Sequence, residues 1–372
     1  MLFQPFSLNG LELKNRLVRS ATYEKRADED GFVTDSIIEL YRNLARGGVG
    51  LIITGNALVH PSGRSAPQML CVHSDIYIKG LKNLTDAVHE AGGVIAVQLS
   101  HGGRQSIPLL LGGNEPIAPS PVYDPSTKIM PRAMKEEEIW EIVDAFGEAA
   151  RRARISGFDA LQIHGAHGYL VSEFLSPHTN RRDDYWGGDE ERRFHFLEEV
   201  FRAVRKEAGE DYPVMIKMNG DDMVEGGLKT REAVRIARRL EGLGIDAVEV
   251  SGGMYEAGDA TIQPGILSED REAYFREAGR AFKKALHIPV MLVGGMRSKT
   301  VMEEVLKKGY ADLVSLARPL IREPDLLERL REGKTKADCV SCNGCTRIKK
   351  LDVVKCVCLG RSANRSRSGK DE

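Results

Sequence analysis

An excess of charge of one sign is the first thing this sequence lacks. Its 53 lysines and arginines stand against 54 aspartates and glutamates, a formal charge of −1. So even a balance gives no electrostatic pull toward nucleic acid or an anionic membrane, and neither partner is expected. Long apolar runs are missing too. No stretch has transmembrane length, and the opening "MLFQPFSLNG" lacks a basic region followed by an apolar segment and a cleavage site. A cytoplasmic protein is therefore expected. Cysteine is scarce and uneven: Cys71 stands alone, and the other five lie between Cys339 and Cys358. Scattered cysteines would suggest a disulfide framework, whereas this cluster points to metal or iron-sulfur ligation.

What is present is the composition of a globular protein, 42% hydrophobic and 29% charged over 372 residues. Short β-branched runs alternate with amphipathic helical patterns. The strand candidates cover 16–21, 49–55, 93–99, 159–165, 213–219, 246–252, 289–295 and 312–318. Between them, Ile139, Ile142, Val143, Phe146, Ala149 and Ala153 share one helical face. Ser298 is a candidate N-cap for a helix with Val301, Met302, Val305 and Leu306 inward and Gly309 as its stop.

Eight such units predict an α/β fold, a (β/α)8 TIM barrel, over residues 1–333. A doubly wound open sheet uses the same alternation. The barrel is preferred because Gln98, His164, Lys217, Ser251, Gly294 and Arg318 each follow an apolar run, and only a barrel gathers such ends into one site. Residues 334–360 form a short cysteine-rich extension, and the polar, basic residues 361–372 are expected to be disordered. "GGVGLIITG" is not a dinucleotide fingerprint, because its glycines precede a strand instead of joining strand to helix.

Several residues could carry chemistry. Lys217 ends the fifth strand and should enter the barrel mouth, facing either a ligand that becomes anionic or a carboxylate such as Asp221 or Asp222. Gly294, Gly295 and Arg318 follow the last two strands, where barrels often bind phosphate. Gln98 offers a donor and an acceptor to a pyrimidine-like edge, or is a satisfied core amide. The stretch "LQIHGAHGYLVSEFLSP" holds His164, His167 and Tyr169. A catalytic zinc would need further ligands from the first and last strands, which read "RLVRSA" and "LARP" and supply none. The two imidazoles are better placed to donate N–H bonds to one substrate oxygen, with Tyr169 as proton donor. Together these suggest hydride addition to an activated double bond.

The sequence resembles the Old Yellow Enzyme family of flavin-dependent ene-reductases. The resemblance rests on "LKNRLVRSA", "GGVGLIITGNALVHPSGR", "VQLSHGGR", "HGAHGYLVSEFLSPHTNRRDDYWGG", "VGGMRS" and "DLVSLARPLIREPDL". It implies non-covalent FMN in the barrel mouth. Gln98 would hold the pyrimidine edge and Lys217 the N1–C2 carbonyl region. Gly294, Gly295, Ala317 and Arg318 would hold the phosphate, with Ser20, Ala21, Thr22 and Asn56 lining the ring. His164 and His167 would clamp the substrate carbonyl, and Tyr169 would protonate the carbon opposite the hydride. Where many relatives have Pro-Met followed by cysteine or threonine, this chain has Ala21, Thr22 and Tyr23.

Cys339, Cys342, Cys345 and Cys358 are spaced C-x2-C-x2-C-x12-C, similar to the [4Fe-4S] ligands of trimethylamine dehydrogenase and, apart from one residue, of 2,4-dienoyl-CoA reductase. Zinc is the alternative occupant and Cys356 a second candidate for the fourth ligand. With a cluster, single electrons would reach FMN from elsewhere, as from an electron-transfer flavoprotein partner; without one, NAD(P)H would reduce FMN directly. The expected activity is reduction of the C=C bond of an α,β-unsaturated carbonyl or enoyl thioester. Three other readings stay open: a dehydrogenase oxidising an amine or acyl compound, a metal-dependent barrel hydrolase using His164 and His167, and a flavin-binding sensor without turnover. A homo-oligomer is compatible with the sequence, and the substrate is a small molecule.

Overall fold

In a computed structural model that describes residues 1–347 and 351–359, the chain forms a closed parallel barrel. Its strands are β1 (Leu17–Arg19), β2 (Leu51–Leu58), β3 (Ile95–Ser100), β4 (Ala160–Gly165), β5 (Val214–Asn219), β6 (Ala247–Ser251), β7 (Val290–Leu292) and β8 (Leu313–Leu316). They pair in chain order, and β8 returns to β1. All eight lie inside or overlap the expected runs, and closure removes the open-sheet alternative. Every strand residue is buried, as expected for a parallel sheet covered by helices. The largest departure is β2, which reaches Leu58 because its pairing register shifts between Ile53 and Asn56.

The outer helices follow the predicted apolar faces. Between β3 and β4, α1 (Glu136–Ile155) buries the six residues that share a face in the sequence. Between β7 and β8, α2 (Lys299–Lys307) buries Val301, Met302, Val305 and Leu306. Ser298 occupies the N-cap position of α2, yet its hydroxyl donates to Glu272 Oε1 at 2.8 Å instead of capping the helix. None of the helices among the described residues is long and apolar enough to cross a membrane.

The barrel interior is layered, and this layering builds the site. Val18, Leu51, Ile53, Ala96, Ala160, Met215, Ala247, Met291 and Leu313 form one apolar cluster inside the barrel. Leu8 and Leu13 join it from an antiparallel hairpin, Phe6–Leu8 with Leu11–Leu13, that closes the floor. Side chains alternate along a strand, so the next inward position lies two residues on. Two beyond Val18, Ala96, Ala160, Met215, Ala247 and Leu313 come Ser20, Gln98, Gln162, Lys217, Glu249 and Ser315. A polar layer therefore lies directly above an apolar one.

The described residues from Ala337 to Val354 are bonded to the loops of the mouth. The Ala337 N–H donates to Arg297 O, Gly265 N–H to Ser341 O, and Val354 N–H to Glu24 O, at 2.8–2.9 Å. These bonds tie the cysteine-rich segment to the loops that follow β1, β6 and β7. The expected disordered tail at 361–372 lies outside the described residues.

Leu13 is 1% exposed in the interior cluster. Replacing it with alanine should cost about 2–5 kcal/mol of stability, measured by urea unfolding. An unchanged midpoint would show that the hairpin does not plug the barrel.

Candidate active site

The C-terminal strand ends enclose a cavity of about 370 Å³. Ser20, Ala21, Thr22, Asn56, Gln98, Lys217, His164, His167 and Tyr169 all line it, as do Gly295, Ala317 and Arg318. Gly294 is the exception among the expected residues; it is outside the lining. Tyr23, Ser251, Tyr274, Ser315 and Val354 complete much of the wall.

Lys217 sits at the centre of the polar layer, 4% exposed. Its Nζ donates to Ser20 Oγ at 2.7 Å and lies 3.4 Å from Glu249 Oε1. Neither carboxylate suggested by the sequence fills this role. Asp221 pairs with Lys229, while Asp222 accepts from Asn219 and the Leu228 N–H. Lys217 and Glu249 are cross-strand register partners, which is why they meet. The other carboxylate oxygen accepts from Gln162 Nε2 at 2.9 Å, and Gln162 Oε1 accepts from Gln98 Nε2 at 2.7 Å. The Gln98 amide is thus bonded on its inner side and still lines the cavity.

The histidine stretch turns sharply out of β4. His167 has φ 63 and Gly168 φ 76, consecutive left-handed residues that reverse the chain. The turn is held from both sides: the His167 N–H donates to Asn219 Oδ1, and Gln105 Nε2 donates to the carbonyls of His167 and Gly168. The two imidazoles meet edge to face with centroids 5.4 Å apart, and the Tyr169 ring lies 4.7 Å from that of His164. The His164 Nδ1 accepts from the Ala166 N–H at 3.4 Å, placing its proton on Nε2. The His167 Nε2 is 2.7 Å from Ser251 Oγ, so one of its nitrogens is already engaged.

Burial, reinforced by the Lys217 charge, lowers the pKa of both imidazoles, His167 to about 3 and His164 well below the usual histidine range. Burial raises the pKa of Tyr169. The mouth therefore offers neutral imidazoles and an intact phenol at neutral pH.

The lining fits a flavin mononucleotide by its chemistry. The Ser315 hydroxyl is buried in the wall without a hydrogen-bond partner. At Gly295, with φ 73, a Cβ would come within 2.6 Å of the Tyr274 ring, so only bare backbone can face the cavity there. Beside it, Arg318 supplies a cation suited to phosphate. Its Nη1 already donates to Gln263 O at 2.8 Å and to Asn343 Oδ1.

Cys339, Cys342, Cys345, Cys356 and Cys358 line a second, smaller cavity with Arg318 and Arg322, and Cys345 borders both cavities. The Sγ atoms of Cys342 and Cys358 are 3.6 Å apart. Even so, among the described residues no group of three or more His, Cys, Asp or Glu side chains is gathered closely enough to hold a metal ion. His164 and His167 in particular find no third ligand. Cys71 is buried away from both cavities, its thiol pushed up to about 11 by burial. Ser251, expected at a strand end, is in the wall. The residues missed in the sequence are Glu249, Gln162 and Asn343. The first two were findable, because each lies two residues beyond an inward apolar position.

A histidine held neutral by burial binds fewer protons folded than unfolded, so stability falls as pH drops from about 6.5 toward 3. Within that window each imidazole should cost about 1.4 kcal/mol per pH unit. Urea unfolding at pH 7 and pH 5 should show a smaller acid loss in a His164→Asn/His167→Asn variant than in the wild type. Equal losses would mean that the two rings are not neutral in the fold.

The comparisons with known proteins agree with this geometry. The description "NADH:flavin oxidoreductase / NADH oxidase family" matches residues 1–337. An NADH oxidase of Thermoanaerobacter brockii is 38% identical over 348 residues, 92% of this chain and 53% of that protein. A 2-naphthoyl-CoA reductase solved with 2-naphthoyl-CoA superposes with a TM-score of 0.86 at 30% identity, over 93% of this chain and 54% of the other. The Old Yellow Enzyme homologue from Zymomonas mobilis gives a TM-score of 0.79 at 28% identity, covering 91% and 94%. The chain thus spans about half the length of the first two and nearly all of the third. By sequence match, barrel and mouth alike, this chain belongs to the NADH:flavin oxidoreductase / NADH oxidase family, among the relatives of Old Yellow Enzyme.

Proposed function

We propose that the protein is an FMN-dependent ene-reductase that reduces the C=C bond of an α,β-unsaturated carbonyl compound, with an enoyl or aryl thioester as the favoured substrate class. The observation that carries this reading is one cavity holding a buried cation, a bare-backbone turn beside Arg318, and two neutral imidazoles next to a protonated tyrosine. The likeness to a reductase solved with a CoA thioester supports the substrate class.

Ser20, Ala21, Thr22, Asn56, Gln98 and Lys217 would hold the flavin ring, and Gly294, Gly295, Ala317 and Arg318 its phosphate. Bound there, FMN supplies a hydride and accepts one from a reduced nicotinamide. The chain's own residues do the rest. His164 Nε2–H is free to donate to a substrate carbonyl. When Ser251 donates to His167 Nε2, Nδ1 of that ring carries the proton and can be the second donor. Two neutral donors polarise a carbonyl without placing another cation beside Lys217. Tyr169, buried and protonated, then delivers a proton to substrate carbon. The same groups disfavour two of the alternatives: a hydrolase needs a third metal ligand that these histidines do not find among the described residues, and a sensor gives Tyr169 no task.

By their spacing, Cys339, Cys342, Cys345 and Cys358 are assigned to a [4Fe-4S] cluster, which would have to draw the thiols closer than they lie here, where no three are gathered for a metal ion among the described residues. Support comes from their spacing and from the cavity they share beside the flavin site. Through Cys345, the cluster site borders the FMN site, so electrons could enter from a flavoprotein partner as well as from NAD(P)H.

Protein purified without air should be yellow, with a flavin spectrum and iron and sulfide near four per chain. A colourless protein that takes up no FMN would falsify the reading, and flavin without iron or sulfide would remove the cluster alone. Replacing Tyr169 with Phe should slow substrate reduction by about 10²–10⁴-fold and leave flavin reduction by NAD(P)H unchanged, by stopped-flow absorbance of each half-reaction. Wild-type rates in both halves would take Tyr169 out of the mechanism.

A further inference from the structure

We infer that Glu249 is a positioning residue that sets both the electron affinity of the bound flavin and the orientation of the Gln98 amide; this rests on the FMN reading above. Glu249 is fully buried in the polar layer that holds Lys217, and does not itself line the cavity. One of its oxygens lies 3.4 Å from Lys217 Nζ and the other accepts from Gln162 Nε2 at 2.9 Å. Two consequences follow from its charge.

The first concerns polarity. A carboxylate accepts hydrogen bonds and donates none, so Gln162 must turn its NH₂ group toward Glu249. Its Oε1 then faces Gln98, and Gln98 must turn its own NH₂ inward to reach it, at 2.7 Å. The Gln98 carbonyl oxygen is thereby left for the cavity. With an amide in place of Glu249, both glutamines could flip, and the edge offered to a ligand would lose its fixed acceptor.

The second concerns charge. Lys217 is the cation of this layer, and a carboxylate 3.4 Å away cancels much of its field. Two-electron reduction places negative charge on the pyrimidine end of a flavin. A bare Lys217 would favour the reduced form strongly, and Glu249 moderates that preference. A purely structural ion pair would change stability on substitution but leave the flavin potential where it was.

The test is the midpoint potential of FMN-loaded protein, titrated against reference dyes. Glu249→Gln should raise it, by at least a tenfold change in the ratio of reduced to oxidised FMN affinity, about 30 mV for a two-electron couple. Lys217→Gln should lower it, and the Lys217→Gln/Glu249→Gln pair, which strands no buried charge, should return toward the wild type. An unmoved potential in Glu249→Gln overturns the inference. Should that variant fail to fold, equal potentials in Lys217→Gln and the double variant overturn it instead. If the wild type takes up no FMN, the functional reading fails first, and the two failures are distinguishable.

Discussion

A buried ammonium and a buried carboxylate face each other across neighbouring strands, and the mouth of this barrel is organised around them. Neither Lys217 nor Glu249 could stand alone at this depth, since an unpaired buried charge is strongly destabilising. Paired, they are held by Ser20 on the ammonium and by Gln162, itself bonded to Gln98, on one carboxylate oxygen, while the other oxygen has the lysine 3.4 Å away and no hydrogen-bond partner. The network draws on β1, β3, β4, β5 and β6, so it also fixes how these strands align. A one-residue slip of β6 would turn Glu249 outward and strand Lys217. Register and charge compensation are here one constraint.

That constraint reaches the histidines. His164 is the register partner of Lys217, and the lysine's charge adds to burial in keeping both imidazoles neutral. Among the residues that line the cavity, positive charge is thereby confined to Lys217, Arg297 and Arg318, and the imidazoles add neutral donors. In the reaction proposed above, a carbonyl held by such donors would be polarised without being held as an anion, and Tyr169 would supply the proton that quenches the charge. The left-handed backbone at His167, unusual for a residue with a side chain, is held by Asn219 and Gln105, and it is what brings the second ring against the first.

Much of this was legible in the sequence, and the physical reason is periodicity. Parallel strands buried on both faces appear as unbroken apolar runs, so eight of them were countable, and the polar residue ending each run marked the mouth. Lys217 was visible in this way. Its partner was not, because Glu249 sits within "DAVEVSG" as one charge among valines and looks like an outward-facing residue. Asp221 and Asp222 were closer in sequence and more obvious. Counting two residues on from the small inward Ala247, as from Met215 to Lys217, would have placed both charges in one layer. Arg318 was recognised as a cation near the last strand, but its bond to Asn343 joins the barrel to a segment with no periodic pattern.

That bond bears on how the two halves of the chain cooperate. Asn343 lies between Cys342 and Cys345, its Oδ1 accepts from Arg318, and its Nδ2 donates to Ile262 O in the loop after β6. Ser341, Cys345, Thr346 and Val354, from the same segment, form part of the wall of the larger cavity. The backbone that presents the cysteines is therefore the backbone that positions the arginine and closes the barrel mouth. A group bound by the thiolates would stiffen this wall, and a disturbed cysteine segment would loosen Arg318, which Asn343 holds. One loop thus supplies side chains to both cavities, so the wall of the larger one and the thiols of the smaller one share a single backbone.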